Sequence, residues 1–208
     1  MILPSSLRNF SEWILLGPMG PELPSDLYTL PLMAVDGGAH FATSMDIWVG
    51  DADSYSEEIH APHVIRHPIE KDQSDLALAL NLFNDPCHYK LHLWGFLGGR
   101  RDHELFNLGE ALSFLDKQDG SQILFYNESG KITYQVVGSG HWKFSHQGLF
   151  SLGALKRTEV TLRGDCYYPI KSPQILTPLS SFGLSNIGQG EMTLTTDGAV
   201  FLYFPEGK

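Results

Sequence analysis

Four short acidic stretches combine carboxylates with glycines or with a cation, and such stretches can hold a metal ion and phosphate groups. They read V-D-G-G-A (35–39), V-G-D-A-D-S (49–54), E-K-D-Q-S-D (70–75) and L-G-G-R-R-D-H (97–103). Only 18% of the 208 residues are charged, so this concentration of acids is unlike an ordinary solvated surface. Mg²⁺ prefers carboxylate and water oxygens and usually binds through one or two carboxylates plus substrate phosphates. The four stretches therefore predict a magnesium–phosphate site.

The second and third stretches supply the strongest candidates for metal and phosphate contacts. Asp51 and Asp53 are two residues apart after a strand, so in an extended chain both carboxylates point the same way and can share one cation. Lys71 adds a positive charge just before a helix that Ser74 can cap, and a helix N-terminus attracts anions. Each stretch also has a purely structural interpretation, as an Asp-rich turn and as ordinary helix capping.

The fourth stretch pairs two glycines with two arginines. Gly98 and Gly99 allow the backbone to approach a phosphate closely, and the Arg100 guanidinium can bind phosphate oxygens with two hydrogen bonds. Asp102 or His103 could orient a hydroxyl or accept its proton. Helix capping by Asp102 is an alternative, although it does not explain the arginine pair. The chain has no G-x-x-x-x-G-K-[ST] motif, which argues against a P-loop kinase.

Alternating strands and helices position these stretches in the first part of the chain. Apolar runs predict strands near 13–16, 32–35, 47–49, 64–65, 91–94 and 122–126, with helices after Ser74 and from about 102 to 116. This alternation predicts an α/β domain, with a parallel sheet and Rossmann-like layers, over residues 1–127. In such sheets ligands bind at the carboxyl ends of the strands, where all four acidic stretches fall.

The pattern changes after Asn127. Short alternating runs punctuated by Gly and Pro replace the helical periodicity, which predicts a second, all-β sandwich domain over residues 128–208.

Composition excludes several classes of partner. The net charge of −10 argues against a nucleic-acid backbone or an anionic membrane as the main partner. Cys87 and Cys166 stand alone, so neither a disulfide framework nor a thiolate zinc site is indicated. No stretch approaches the length of a membrane span, and the N-terminus does not resemble a signal peptide, so a soluble cytoplasmic protein is expected.

Taken in order, D-G-G-A, G-D-A-D-S, K-D-Q-S-D, G-G-R-R-D-H and the late S-N at 185–186 resemble the motifs of the thiamine pyrophosphokinase family. The resemblance implies transfer of pyrophosphate from ATP to the hydroxyl of thiamine, with Mg²⁺, in a homodimer whose active sites lie at the subunit contact. It implies a thiamine-binding role for the β-rich part and an ATP- and Mg²⁺-binding role for the α/β part. Ser74 replaces a threonine of the family pattern, Leu184 stands where a threonine is expected, and the segment between Ala39 and Asp51 is short.

The resemblance also implies individual roles for the matching residues. The implied catalytic residues are Asp51, Asp53, Asp75, Arg100 and Asp102, of which Asp51, Asp53 and Asp75 would bind the metal. The implied ATP-binding residues are Asp36, Gly37, Ser54, Lys71, Asp72, Ser74, Gly99 and His103, and the implied thiamine-binding residues are Ser185 and Asn186. Two alternatives stay open: a related pyrophosphokinase acting on another hydroxymethyl heterocycle such as a pterin, and a non-catalytic protein that binds thiamine or a nucleotide.

Overall fold

The computed structural model describes residues 2–21, 23–51 and 58–206, and in them the chain is mainly β-structure. The strands are β1 Glu12–Leu16, β2 Leu32–Val35, β3 Ile47–Gly50, β4 His63–Arg66, β5 Lys90–Trp94, β6 Gln122–Tyr126, β7 Ile132–Val137, β8 Gly140–Gly153, β9 Thr158–Cys166, β10 Ile170–Leu176, β11 Asn186–Thr196 and β12 Val200–Tyr203. The α-helices of these residues are α1 Asp75–Leu80 and α2 Arg101–Leu115, and shorter 3-10 helices span Ser5–Leu7, Ser25–Thr29, Asp36–Phe41 and Ser181–Gly183.

All twelve strands belong to one sheet, in the order β10-β9-β11-β8-β12-β7-β6-β5-β1-β2-β3-β4. Strands β1 to β6 pair in parallel, and β6 to β12 pair antiparallel. The 14-residue strand β8 lies between β12 and β11 in the antiparallel half: its last residues pair with β12, and the rest of it pairs with β11.

The predicted fold class, an α/β N-terminal domain of Rossmann-like layers followed by an all-β sandwich, is wrong. The twelve-stranded sheet runs without a break through both predicted parts, and the described residues contain only two α-helices, one of 6 residues and one of 15. Both α-helices pack in the core on one face of the parallel strands. The other face carries Ile14, Trp48 and Trp94 and is covered by side chains of connecting segments such as Leu27 and Phe41.

The segment between β1 and β2 shows why the described residues have no second layer of α-helices. The segment between β1 and β2 contains Gly17, Pro18, Gly20, Pro21 and Pro24. Proline lacks the N–H that a helix interior needs, and glycine loses more conformational entropy than other residues when it is fixed in a helix. The strands were therefore predicted correctly, but the segment between β1 and β2 does not form the α-helix that a second layer would require.

The C-terminal strands form a core of their own while continuing the sheet. Phe150, Val160, Leu162, Met192 and Leu194 are buried together, and further residues of β7, β10 and β12 join this cluster. Strand β7 pairs with β6 across the predicted boundary at residues 127 and 128. The division into domains 1–127 and 128–208 remains a prediction. Among the described residues, no helix is long and apolar enough to cross a membrane.

A charged network that includes the buried His92 lies on the sheet face opposite the α-helices. The Glu12 Oε1 atom accepts hydrogen bonds from Lys90 Nζ at 2.6 Å and from His92 Nε2 at 2.8 Å. The other ring nitrogen of His92 contacts the Tyr126 hydroxyl at 2.7 Å, and the Tyr126 ring stacks on Trp94 at 4.4 Å. Burial disfavours the charged imidazolium and, against the pull of Glu12, lowers the pKa of His92 below its ordinary value of 6.5.

The lowered pKa of His92 predicts that stability falls as the pH drops below about 6.5. The unfolded chain protonates this imidazole more readily than the folded protein, so acid favours unfolding, by at most about 1.4 kcal/mol per pH unit for one proton. The pKa of Glu12 is also lowered, from 4.5, so its own contribution is lost at lower pH. Urea unfolding of the protein and of His92→Gln at about pH 7 and about pH 5.5 tests this. Equal pH dependence in both proteins would contradict it.

Candidate active site

An acidic cleft of about 620 Å³ opens at the carboxyl ends of the parallel strands. The residues that follow β2, β3 and β5 line it, together with the start of α1 and the loop before α2. The predicted site residues among its lining are Asp36, Asp51, Lys71, Ser74, Asp75, Arg100 and His103. These residues are far apart in sequence, and the fold brings them together at the carboxyl ends of the strands.

One ammonium group joins two carboxylates inside this cleft. Lys71 Nζ lies 2.5 Å from Asp51 Oδ2 and 2.7 Å from Asp75 Oδ1. The side chains of Lys71 and Asp51 are only 13% and 8% exposed. Burial alone lowers the pKa of Lys71, but the hydrogen bonds that its ammonium donates to both carboxylates outweigh burial and raise that pKa above its ordinary value. Lys71 is therefore a fixed positive charge between Asp51 and Asp75.

Close packing of two strand ends brings Asp36 into the same cleft. A Cβ atom on Gly50 would lie 3.0 Å from the Asp36 Cα atom and 2.8 Å from the Trp48 ring, so glycine permits this approach. The Trp48 indole N–H donates to the Asp36 carbonyl at 3.0 Å. Asp36 itself has φ 48°, a left-handed conformation that costs a residue with a Cβ about 1–2 kcal/mol. Strain of this kind is typical of functional sites.

The start of α2 presents an exposed arginine held by a neighbouring acid. Gly98 and Gly99 have φ 84° and 66°, and Arg100 stands at the N-cap position of α2. Its Nε and Nη2 atoms donate to the two carboxylate oxygens of Asp102 at 3.1 and 2.5 Å. These hydrogen bonds lower the pKa of Asp102 to about 2, so its carboxylate stays ionised at neutral pH. Asp102 is thus suited to orienting Arg100 and poorly suited to accepting a proton.

A second pocket of about 450 Å³ contains the S-N motif. Ser185 has φ 60°, and its N–H donates to Ser151 Oγ at 3.1 Å. The buried Asn186 amide is bonded on both sides to the backbone of Tyr168: Oδ1 accepts from the Tyr168 N–H at 3.0 Å, and Nδ2 donates to the Tyr168 carbonyl at 2.9 Å. Asn186 therefore positions Tyr168, whose exposed ring lines this pocket.

Some predicted site residues lie outside both pocket linings. Gly37, Asp72, Gly99 and Asp102 neighbour lining residues in sequence without lining the cleft themselves. Asp53 and Ser54 lie outside the described residues.

Sequence reasoning also missed part of the cleft. Pro18 and Met19 line it directly after β1, Ile69 lines it before Lys71, and Phe96 and Asn107 complete the wall next to Arg100. Asn107 Nδ2 donates to the Phe96 carbonyl at 2.8 Å, which fixes that wall. The position of Pro18 and Met19 after a parallel strand is the signal that could have found them. They add an apolar side to a site predicted only from its charges.

The donor set of the cleft fits a hard divalent cation. Asp51 and Asp75 direct one oxygen each at a single cationic atom, and carboxylate oxygens are the donors that Mg²⁺ prefers. No cluster of three or more His, Cys, Asp or Glu side chains suited to a metal occurs within residues 2–21, 23–51 and 58–206. Two carboxylates nevertheless suffice where substrate phosphates supply the remaining oxygens.

Comparison with known proteins agrees with this geometry. The family model for the catalytic domain of thiamin pyrophosphokinase matches residues 30–125, which include the acidic cleft residues from Asp36 to His103. Residues 30–125 are therefore similar to the catalytic domain of the thiamin pyrophosphokinase family. No curated protein matches the sequence.

Solved structures of thiamin pyrophosphokinases share the fold over nearly the whole chain. The enzyme of Bacillus subtilis is 22% identical with a TM-score of 0.67, covering 92% of this chain and 97% of its own. A thiamin pyrophosphokinase family protein of Enterococcus faecalis is 21% identical with a TM-score of 0.69, covering 95% and 100%. The enzyme of Candida albicans is 13% identical with a TM-score of 0.64, covering 97% and 90%. At these identities the likeness concerns the fold.

Proposed function

We propose that this protein is a thiamine pyrophosphokinase, which transfers the β,γ-pyrophosphoryl group of ATP to the hydroxyl of thiamine and releases AMP. The observation that carries the proposal is the acidic cleft itself. It gathers carboxylates, a fixed ammonium and an oriented guanidinium from three separate motifs, all inside the segment that matches the family's catalytic domain. Phosphoryl transfer depends mostly on positioning and charge stabilisation, which these groups can provide.

In this proposal Asp51 and Asp75 hold Mg²⁺, with Asp53 as the third carboxylate of the set. When bound, the ion would neutralise charge on the transferred phosphates. Arg100, oriented by Asp102, faces the cleft as a second positive charge for those oxygens.

The remaining cleft residues of the proposal bind ATP. Asp36, Lys71, Ser74 and His103 line the cleft beside Arg100, while Gly37, Ser54, Asp72 and Gly99 belong to the same motifs. Met19 and Ile69, 47% and 66% exposed, offer apolar contact to a heterocycle.

The chemical step breaks one bond and forms one. The thiamine oxygen bonds to the β-phosphorus of ATP, the bond from that phosphorus to the oxygen bridging the α-phosphorus breaks, and AMP leaves with that oxygen. The proton of the thiamine hydroxyl passes to a base. His103 lines the cleft, whereas Asp102 does not and is held ionised by Arg100. We therefore assign proton acceptance to His103 in preference to Asp102.

We further propose that the S-N pocket binds thiamine and that two copies of the chain complete one active site. Among the described residues, the acidic cleft and the S-N pocket have no lining residue in common. Large apolar side chains around the S-N pocket are strongly exposed, with Tyr168 at 64%, Phe182 at 59% and Leu184 at 60%. Exposed apolar groups gathered in this way favour contact with another protein surface. Sedimentation equilibrium of the purified protein tests the dimer, and a monomer at assay concentration would contradict it.

The reaction is tested by measuring AMP release from Mg-ATP by the purified protein, with thiamine added or withheld and a hydroxymethylpterin in parallel. We expect AMP only with thiamine, together with thiamine diphosphate in equal amount. AMP with the pterin alone would keep the phosphate site and reassign the acceptor. No AMP with either acceptor, despite measurable thiamine binding, would favour the non-catalytic alternative.

A further inference from the structure

We propose that the Lys71 ammonium occupies the position of the divalent cation when no nucleotide is bound, so that the metal ion can bind only by displacing it. The inference rests on the proposed function, because it takes Asp51 and Asp75 as the metal ligands. It adds a second role for Lys71, as a built-in competitor that makes metal binding depend on the nucleotide.

The geometry places one cation where another would bind. A single nitrogen lies within 2.7 Å of one oxygen from each carboxylate, so both oxygens face the same cation-sized position. Magnesium–oxygen distances are about 2.0–2.1 Å, so an ion that takes these two oxygens needs the space that Nζ holds. The two cations therefore cannot share these oxygens in the arrangement that the structure shows.

The cost of moving Lys71 comes from its burial. Its side chain is 13% exposed and Asp51 is 8% exposed, so little water is available to replace the lost hydrogen bonds. An ammonium that leaves both carboxylates without a new anionic partner would be a poorly solvated charge. A metal ion arriving alone must meet this cost from its own binding energy, which weakens its apparent affinity.

Nucleotide phosphates can stabilise the displaced Lys71 ammonium. Lys71 lines the same cleft as Arg100, so phosphate oxygens bound there offer the displaced ammonium a new partner. The exchange also balances charge, since two carboxylates with one ammonium carry −1, whereas the added Mg²⁺ changes this to +1, which suits a polyphosphate. Metal and nucleotide should therefore bind cooperatively, each strengthening the other by the same factor.

Calorimetric titration of Mn²⁺ alone into the nucleotide-free protein tests the competition. We expect Lys71→Gln to bind Mn²⁺ about tenfold more tightly than the unmodified protein, because the competing charge is gone. Lys143→Gln removes the same charge from an exposed position on β8 and should leave the affinity unchanged. An unchanged or weaker Mn²⁺ affinity in Lys71→Gln would overturn the inference.

Two further arms extend the test, and Lys71→Met replaces Lys71→Gln in all of them if the glutamine variant is unstable. Adding Asp51→Asn to Lys71→Gln should abolish the gain, which locates the ion at these carboxylates. A non-hydrolysable ATP analogue should raise the Mn²⁺ affinity of the unmodified protein by a larger factor than that of the Lys71 variant, because its phosphates bind the ion in both proteins but only the unmodified one has an ammonium to displace. Equal factors in the two proteins would count against the competition. Because these arms measure binding, they stand apart from the AMP assay, whose failure would contradict the proposed reaction alone.

Discussion

Replacing Asp51 by asparagine should lower turnover of Mg-ATP and thiamine by about 10²- to 10³-fold while the protein stays folded. Asparagine keeps the size of the side chain and one oxygen, but it loses the charge that binds a hard cation. The side chain is 8% exposed, so solvent cannot replace that charge. Lys71 retains its 2.7 Å contact with Asp75, so no buried ammonium is left alone and the fold should persist.

The measurement is kcat from initial rates of AMP release, with circular dichroism to follow the fold. Asp119→Asn is the matched control, because Asp119 is exposed in the turn before β6 and does not line the cleft. Asp75→Asn should resemble Asp51→Asn, since it removes the other carboxylate bound to Lys71. Turnover near that of the unmodified protein in Asp51→Asn would remove Asp51 from the metal site.

The turn near residue 127 shows why the individual strands could be predicted but the fold class could not. Asn127 Oδ1 accepts hydrogen bonds from the N–H groups of Ser129 and Lys131, which closes a tight turn between β6 and β7. The change of periodicity after Asn127 predicts a boundary between two folds. The same residues serve equally well as a hairpin within one sheet, because hydrogen bonding between strands is not encoded in the alternation of either strand.

The candidate site was more predictable than the fold, because its placement follows from chain direction. Asp36 and Asp51 directly follow parallel strands, so their meeting required only that the carboxyl ends of β2 and β3 share an edge. Lys71 and Asp75 are four residues apart where α1 begins, so their ion pair is also a local contact. The partners of Asn186 were not predictable, because Tyr168 lies 18 residues earlier and only the folded strands bring the two together.

This long-range contact leads to the second large expected effect: Asn186→Ala should raise the KM for thiamine about tenfold or more and also destabilise the protein. The substitution leaves the Tyr168 N–H and carbonyl without the amide that pairs with both. Losing hydrogen bonds at a side chain that is 6% exposed costs about 2–3 kcal/mol. The KM for ATP should change little, because Asn186 lines the S-N pocket and not the acidic cleft.

Tyr168→Ala helps to show whether Asn186 acts by positioning Tyr168 or by contacting thiamine itself. The Tyr168 ring is 64% exposed, so its removal should raise the KM for thiamine without lowering the melting temperature. Asn186→Asp gives a third comparison, because a carboxylate still accepts from the Tyr168 N–H but cannot donate to its carbonyl. If Asn186 acts by holding Tyr168, the aspartate variant should lose stability and thiamine affinity together. If Asn186 holds Tyr168, losing that contact lowers both stability and thiamine affinity. An Asn186→Ala variant with a raised KM for thiamine and an unchanged melting temperature would instead mean that the amide contacts thiamine directly.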